Sequence, residues 1–222
     1  MTLNSSVRQV ANGDSMLVNK RNLPVIGIML SLCLFGMATA YYPGGTLDSA
    51  DFVGYSWKKH FISTLFATKA LNGADNPARY FAVPAMLIFC TSMAAMFWYV
   101  SIQSRSIVLS KAINIGGIGA MVYAFLAVTT PMHDLLVSVA LVFFLAALLA
   151  MLSMLYRARK TKLLFVGTAL LALLVTCAVM YYANVLFGLL PIAQKLVFAL
   201  GTYWLLALHF SKFSQDETVS VQ

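Results

Sequence analysis

Six apolar stretches, each about as long as a membrane-spanning helix, occupy most of this 222-residue chain. A helix needs about 20 apolar residues to cross about 30 Å of hydrocarbon. The six predicted spans are residues 23–42, 80–102, 112–130, 135–156, 163–188 and 190–210. The composition agrees, because 61% of the residues are hydrophobic and only 10% are charged, against about 45 to 50% and about 25% in soluble domains. The sequence therefore predicts an all-α, polytopic membrane bundle of six transmembrane helices.

The polar remainder of the chain is too short to form a second domain. It consists of an N-terminal tail at 1–22, a segment at 43–79 and a C-terminal tail at 211–222. None of these can bury a hydrophobic core of its own. We therefore expect one transmembrane domain, residues 23–210, between two polar tails.

The lysines and arginines are distributed unevenly between the links that join the spans. If the N-terminus is cytoplasmic, ten of them lie on the cytoplasmic side and five on the other side. The contrast is sharpest between link 157–162, which carries four basic residues, and link 130–134, which carries none. Because cytoplasmic links carry an excess of basic residues, we expect both termini to lie in the cytoplasm.

The net charge of +8 does not indicate nucleic-acid binding. The basic residues cluster at the edges of the predicted spans, and they do not form a basic face interleaved with aromatic residues. We therefore expect membrane lipids, and not nucleic acid, as partners.

The first span can also be compared with a signal peptide. Lys20 and Arg21 precede an apolar stretch, and Ala38-Thr39-Ala40 resembles a cleavage site. However, a polar leader of 22 residues is long for a signal peptide, and cleavage would leave five spans with one terminus displaced. We favour the uncleaved bundle, and the sequence leaves open whether the first span is ever removed.

Two pairs of small residues at a spacing of four predict close contacts between helices. They are Gly36 with Ala40 in the first span and Gly116 with Ala120 in the third. Small side chains at this spacing let the backbones of membrane helices approach each other. We expect both pairs to mark packing surfaces within the bundle.

The segment 43–79 is the longest link, and it is not uniformly polar. Trp57, Phe61 and Leu65 recur at intervals of four residues, which predicts a short helix over about residues 56–71. An apolar stripe with a polar flank is typical of a helix that lies on the membrane interface. His60 and Ser63 fall on that polar flank.

Ionisable groups at membrane depth are costly and are therefore candidates for function. Of the histidine, aspartate and glutamate side chains, only His209 lies within a predicted span, near the cytoplasmic end of the last helix, and we interpret it as an interface histidine. On the opposite side, His133 and Asp134 precede the fourth span. The long link on that side carries His60, Ser63, Asp48 and Asp51. Two histidines and three carboxylates could bind a metal or form an acid/base pair.

The spacing of these polar residues follows no zinc-binding pattern. A purely structural role is also open, because a carboxylate such as Asp134 stabilises the start of a helix and His133 can satisfy a tight turn. We predict no cofactor and no metal.

Several short motifs are similar to those of a known family. They are Tyr42-Pro43-Gly44-Gly45, the segment from His60 to Leu65, and Asn76-Pro77. Between about residues 23 and 210 the chain resembles the domain-of-unknown-function family 998 of prokaryotic membrane proteins. That family has a histidine at the external turn before its fourth span, where this chain has His133.

The resemblance implies an external polar cluster near the lipid headgroups, built from Ser63, His133 and Asn76, and a location in the inner (cell) membrane. It also implies a distant similarity to eukaryotic membrane proteins associated with lipid handling. It implies no known reaction.

Our leading hypothesis is an integral membrane protein with an outer-leaflet polar site for a lipid headgroup or a small ligand. The candidate residues are His60, Ser63, Asn76, His133 and Asp134. One alternative is a membrane-embedded lipid hydrolase that uses the external histidines, Ser63 and Asp134. Another is a small-molecule transporter, which would need a polar path through the bundle. The sequence identifies neither the ligand nor the oligomeric state.

Overall fold

The structure is a computed structural model that describes the backbone of residues 3–211 and the side chains of residues 21–211. Its helices are α1 (Leu3–Ala40), α2 (Arg79–Ser101), α3 (Ile107–Thr129), α4 (His133–Arg157), α5 (Thr161–Tyr182) and α6 (Leu190–Phe210). Two short 3₁₀ helices cover Ile62–Phe66 and Phe187–Leu189. Each of the six long helices contains a stretch long and apolar enough to cross a membrane. The predicted six-helix bundle is confirmed, and the chain has the architecture of a multi-pass membrane protein.

The first helix begins earlier than the predicted span. It starts at Leu3, whereas the stretch that is apolar enough to cross a membrane is Arg21–Ala40. Most of the segment that we expected to be a separate polar tail is therefore a helical extension of α1. Residues 3–22 contain no proline and one glycine, so little in this segment interrupts helical hydrogen bonding. Of the predicted C-terminal tail, only Ser211 falls within the described residues.

The fifth helix ends six residues before the predicted boundary, at Tyr182 and not at 188. Asn184 and Leu186 follow with φ angles of 53° and 52°, in the left-handed region that a right-handed helix cannot contain. The apolar character of the chain continues through this turn, which explains why hydropathy alone placed the boundary too late.

Helix α2 lies at the centre of the bundle. It packs against α1, α3 and α6, and half of its most apolar stretch is buried. The Phe89 ring lies 6.0 Å from Phe198 of α6, and the Phe97 ring lies 6.1 Å from Phe144 of α4. The large side chains of the interior are mostly apolar: Phe97, Met96, Leu148, Met151, Leu155, Leu170 and Trp204.

The two pairs of small residues have different outcomes. A Cβ atom on Gly116 would lie 2.7 Å from the carbonyl oxygen of Phe143, so the predicted contact of α3 is confirmed, with α4 as its partner. The prediction for Gly36 and Ala40 is wrong. Both are exposed, and no other part of the described chain comes within 4 Å of where a Cβ on Gly36 would lie. The spacing defines one face of a helix, but it does not determine whether that face meets a partner.

Side-chain contacts show which helix ends lie together. Lys195, near the start of α6, contacts His60 in the link between α1 and α2. Arg21, where the membrane-crossing part of α1 begins, contacts His209 near the end of α6. We call the link at residues 41–78 the long loop, and the end of the bundle that carries it the loop side. That the loop side faces away from the cytoplasm stays a prediction from the charge bias.

Candidate functional site

The long loop is folded, although little of it is helical. Isolated β-bridges join Gly44 to Val53 and Lys69 to Asp75. A short helix is present where we expected one, but it is a 3₁₀ helix of five residues, Ile62–Phe66, so the predicted range 56–71 is too long. Trp57 is 59% exposed and Leu65 is 2% exposed, which means that the apolar stripe does not face one side. The backbone groups of this loop bond to buried polar side chains instead of forming a continuous helix.

His60 lies at the centre of the loop, with none of its surface exposed. Its Nδ1 accepts a hydrogen bond from the backbone N–H of Ser56 at 2.8 Å. Its Nε2 donates to the carbonyl oxygen of Gly45. The surrounding aromatic rings are those of Tyr42, Phe52 and Tyr55. Both ring nitrogens therefore form hydrogen bonds with the loop's own backbone, and an external ligand would have to displace these hydrogen bonds.

Asn76 joins the 3₁₀ helix to the start of α2, and it is 2% exposed. Its Nδ2 donates to the carbonyl oxygen of Ala67 at 2.9 Å, and its Oδ1 accepts from the N–H of Ala78 at 3.2 Å. The same Nδ2 lies 3.3 Å from the carbonyl oxygens of Thr64 and Leu65. The side-chain amide of Asn76 thus satisfies backbone groups that do not take part in helical hydrogen bonds.

The loop is also attached to α6. The Oε1 atom of Gln194 accepts from the N–H of Ile62 at 3.1 Å. The Nζ atom of Lys195 donates to the carbonyl oxygen of His60 at 2.5 Å and to that of Pro191 at 3.0 Å. Sequence reasoning missed both residues as loop contacts. The available signal was a lysine at the edge of an apolar span, which we used only to assign sidedness.

Tyr55 contributes a half-buried phenol to the loop. Its hydroxyl donates to the carbonyl oxygens of His60 and Phe61, each at 3.4 Å. Burial, and to a smaller extent the nearby Tyr42, raise the pKa of Tyr55 well above its usual range. The phenol therefore remains a neutral hydrogen-bond donor at physiological pH.

His133 and Asp134 form a second polar group on the loop side, as the first two residues of α4. The distance from His133 Nδ1 to Asp134 Oδ1 is 2.9 Å, and 42% and 77% of the two side-chain surfaces are exposed. Asp134 lies in the first turn of the helix, where the helix dipole favours a carboxylate. Unlike His60 and Asn76, these residues point polar atoms toward the surroundings.

Ser63 lies on the 3₁₀ helix and is partly exposed. That helix packs against α2 and α3, which places Ser63 at the same end of the bundle as the turn between α3 and α4. Its hydroxyl makes no hydrogen bond with the rest of the described chain.

The five candidate residues fall into separate groups. His60 and Asn76 are buried within the long loop, Ser63 is on its partly exposed surface, and His133 pairs with Asp134 at the neighbouring turn. Between residues 21 and 211, no hydrogen bond or ion pair links the loop residues to the His133–Asp134 pair. In the same part of the chain, no three His, Cys, Asp or Glu side chains are grouped as metal ligands.

His209 is buried within the bundle, with 1% of its surface exposed, and its position at the membrane interface stays a prediction. Its Nε2 donates to the carbonyl oxygen of Arg21 at 2.9 Å, and its ring lies 4.6 Å from that of Tyr99. The histidine is therefore a buried contact that joins α6 to α1 and α2. A polar side chain with a backbone partner on another helix can be buried at a membrane edge without a role in catalysis.

Comparison of the chain with protein-family models, with curated proteins and with solved structures finds no match. The resemblance to family 998 therefore rests on its short motifs and remains a proposal.

Proposed function

We propose that this chain is an integral protein of a prokaryotic inner membrane, and that it binds a lipid headgroup on its loop side, at the outer leaflet. The observation that carries the proposal is the exposed His133–Asp134 pair at the start of α4. A membrane-spanning helix begins at the depth of the headgroups. The pair therefore lies where a headgroup can reach it.

The residues that follow the pair support a lipid as the ligand. Leu135 and Val137 are 56% and 43% exposed, which fits contact with acyl chains. The polar pair immediately precedes them in the chain. A lipid beside α4 can thus place its tail against the apolar surface and its headgroup against His133 and Asp134.

Basic residues on the loop side can attract the phosphate group of a lipid. Two of them are paired with carboxylates: Lys59 with Asp48 at 3.8 Å, and Lys69 with Asp75 at 2.7 Å. Lys58 is exposed and can approach a phosphate. The motifs shared with family 998 independently point to Ser63 and His133.

A membrane-embedded lipid hydrolase is a second candidate. Its support is the orientation of His133, which bonds Asp134 through Nδ1 and leaves Nε2 able to act as a base, as in catalytic acid–histidine pairs. A transporter has less support, because the large buried side chains are mostly apolar and the Ser31 hydroxyl within the spans bonds to the carbonyl oxygen of Ala85.

Lipid analysis of the purified full-length protein tests the proposal. We expect lipids retained after detergent exchange to be enriched in one headgroup class relative to the source membrane. The double variant His133→Ala/Asp134→Ala should lose that enrichment, whereas Lys111→Ala, an exposed substitution at the opposite end, should keep it. Retained lipids that match the bulk membrane in the wild type would contradict the proposal.

A further inference from the structure

We infer that the headgroup bound on the loop side carries a primary ammonium group, as ethanolamine headgroups do, and that Asp134 receives it together with Tyr181 and Tyr182. This inference rests on the proposed function and adds the chemical class of the ligand. It follows from the groups that the end of α5 brings beside the start of α4.

The two tyrosines extend the polar surface around Asp134. Tyr181 lies beside the Asp134 carboxylate, and the Tyr182 hydroxyl lies 2.9 Å from Ser138 Oγ, one turn further along α4. The rings of the tyrosines are 5.2 Å apart at an angle of 84°. Their exposed fractions are 42% for Tyr181 and 66% for Tyr182, so a ligand can reach them.

The charge of this surface favours a cation. His133 engages one carboxylate oxygen of Asp134, Oδ1, and Tyr181 also hydrogen-bonds this carboxylate, but 77% of the Asp134 side chain stays exposed to a ligand. The hydrogen bond from His133 lowers the pKa of Asp134, so the side chain is a carboxylate, and no lysine or arginine among residues 21–211 forms a salt bridge with it. A carboxylate repels a phosphate and attracts an ammonium group. Asp134 also occupies the helix start that would otherwise favour an anion.

The hydrogen-bonding groups favour a primary over a quaternary ammonium. Asp134 Oδ2 and the phenol oxygens of Tyr181 and Tyr182 can accept hydrogen bonds, and a primary ammonium has three N–H donors. A quaternary ammonium has none and depends on the faces of several aromatic rings. Among residues 21–211 the rings of Tyr181 and Tyr182 pair only with each other, and two rings enclose less of a quaternary ammonium than a cage of several rings does.

The geometry also gives the headgroup a direction. The ammonium would lie at the α4–α5 surface, against Asp134. The acyl chains would then follow the exposed Leu135 and Val137. A lipid with a primary amine satisfies both surfaces, whereas an anionic headgroup without an amine brings no cation to Asp134.

Binding of defined lipids to the full-length protein in detergent, measured by native mass spectrometry, tests the inference. The probes are phosphatidylethanolamine, phosphatidylcholine and phosphatidylglycerol with identical acyl chains, and soluble phosphoethanolamine. We expect phosphatidylethanolamine to bind about tenfold more tightly than the other two lipids, as for one charge-assisted hydrogen bond. Asp134→Asn should abolish this preference, and Asp134→Glu should retain it.

Asp75→Asn provides the matched control, because Asp75 is another exposed carboxylate on the loop side, paired with Lys69. It should leave the preference unchanged. A preference for phosphatidylglycerol, or a preference for phosphatidylethanolamine that Asp134→Asn leaves intact, would overturn the inference while the proposed function stands. Equal binding of all lipids to the wild type would overturn both. Competition by phosphoethanolamine at the concentration of the lipid would overturn the assignment to a lipid.

Discussion

Arg21 and His209 exchange hydrogen bonds between α1 and α6: the Nη2 atom of Arg21 donates to the carbonyl oxygen of His209 at 2.7 Å, and the Nε2 atom of His209 donates to the carbonyl oxygen of Arg21 at 2.9 Å. The guanidinium carbon of Arg21 lies 5.2 Å from the ring centre of Tyr99 and 5.5 Å from that of Phe210. The two residues thus fasten α1 and α6 to the end of α2.

We expect His209→Ala to lower the free energy of unfolding by about 1 to 2 kcal/mol, because it removes a buried hydrogen bond and the ring contact with Tyr99. Thermal or denaturant unfolding of the purified protein in detergent measures the change. Lys111→Ala serves as the control, since Lys111 is exposed at the same end of the bundle. Equal stabilities of the two variants would show that the contact with Arg21 contributes nothing.

His60 and Asn76 should behave as structural residues of the long loop. Each side chain satisfies several backbone groups, and alanine would leave these groups without a partner. We expect His60→Ala and Asn76→Ala each to cost about 2 kcal/mol and to speed proteolytic cleavage between residues 41 and 78. The exposed Lys58→Ala variant should match the wild type. Cleavage at wild-type rates in the first two variants would rule out this role.

The raised pKa of Tyr55 predicts a loss of stability at high pH. The phenol of an unfolded chain titrates near pH 10, whereas burial raises the pKa of Tyr55 in the folded chain. The unfolded state therefore loses its proton first, so the contribution to stability is complete below about pH 10 and decreases as the pH rises further. We expect Tyr55→Phe to reduce the slope of unfolding free energy against pH above pH 10 by up to about 1.4 kcal/mol per unit. Parallel slopes would contradict the burial of this phenol.

The spans and the long loop differ in how well the sequence predicts them. A span is encoded locally, because about 20 apolar residues specify it whatever its neighbours are. The errors lie where single residues control the backbone, as at Asn184 and Leu186, whose left-handed φ angles end α5 within an apolar run. Hydropathy does not detect such a turn.

The loop depends on contacts between residues far apart in sequence. His60 and His133 are both polar residues on the same predicted side, and no local pattern distinguishes them. In the structure His60 is enclosed by aromatic rings and by contacts with Gly45 and Lys195, whereas His133 is exposed. Burial separates a structural histidine from a candidate ligand-binding one, and burial is a tertiary property.

The charge bias predicts that both termini lie in the cytoplasm. Fusions to the C-terminus of the full-length protein can test this. Alkaline phosphatase, which needs export to fold, should be inactive there, and a fluorescent protein that folds only in the cytoplasm should be bright. A phosphatase fusion after residue 58, in the long loop, should be active. An active C-terminal phosphatase would reverse the topology and place His133 and Asp134 on the cytoplasmic side.

We expect His133→Ala and Ser63→Ala to weaken lipid binding without destabilising the fold. Both side chains are at least partly exposed, so their removal leaves no buried group unsatisfied, and surface substitutions of this kind change stability by about 0.5 kcal/mol or less. We expect expression and thermal unfolding near those of the wild type, together with a loss of selective headgroup binding of about tenfold for His133→Ala and a smaller loss for Ser63→Ala. Fluorescence-detected size exclusion and lipid titration measure the two properties on the same samples. If both variants misfold, the two residues have a role in packing. If both variants bind lipid like the wild type, the headgroup binds elsewhere on the bundle.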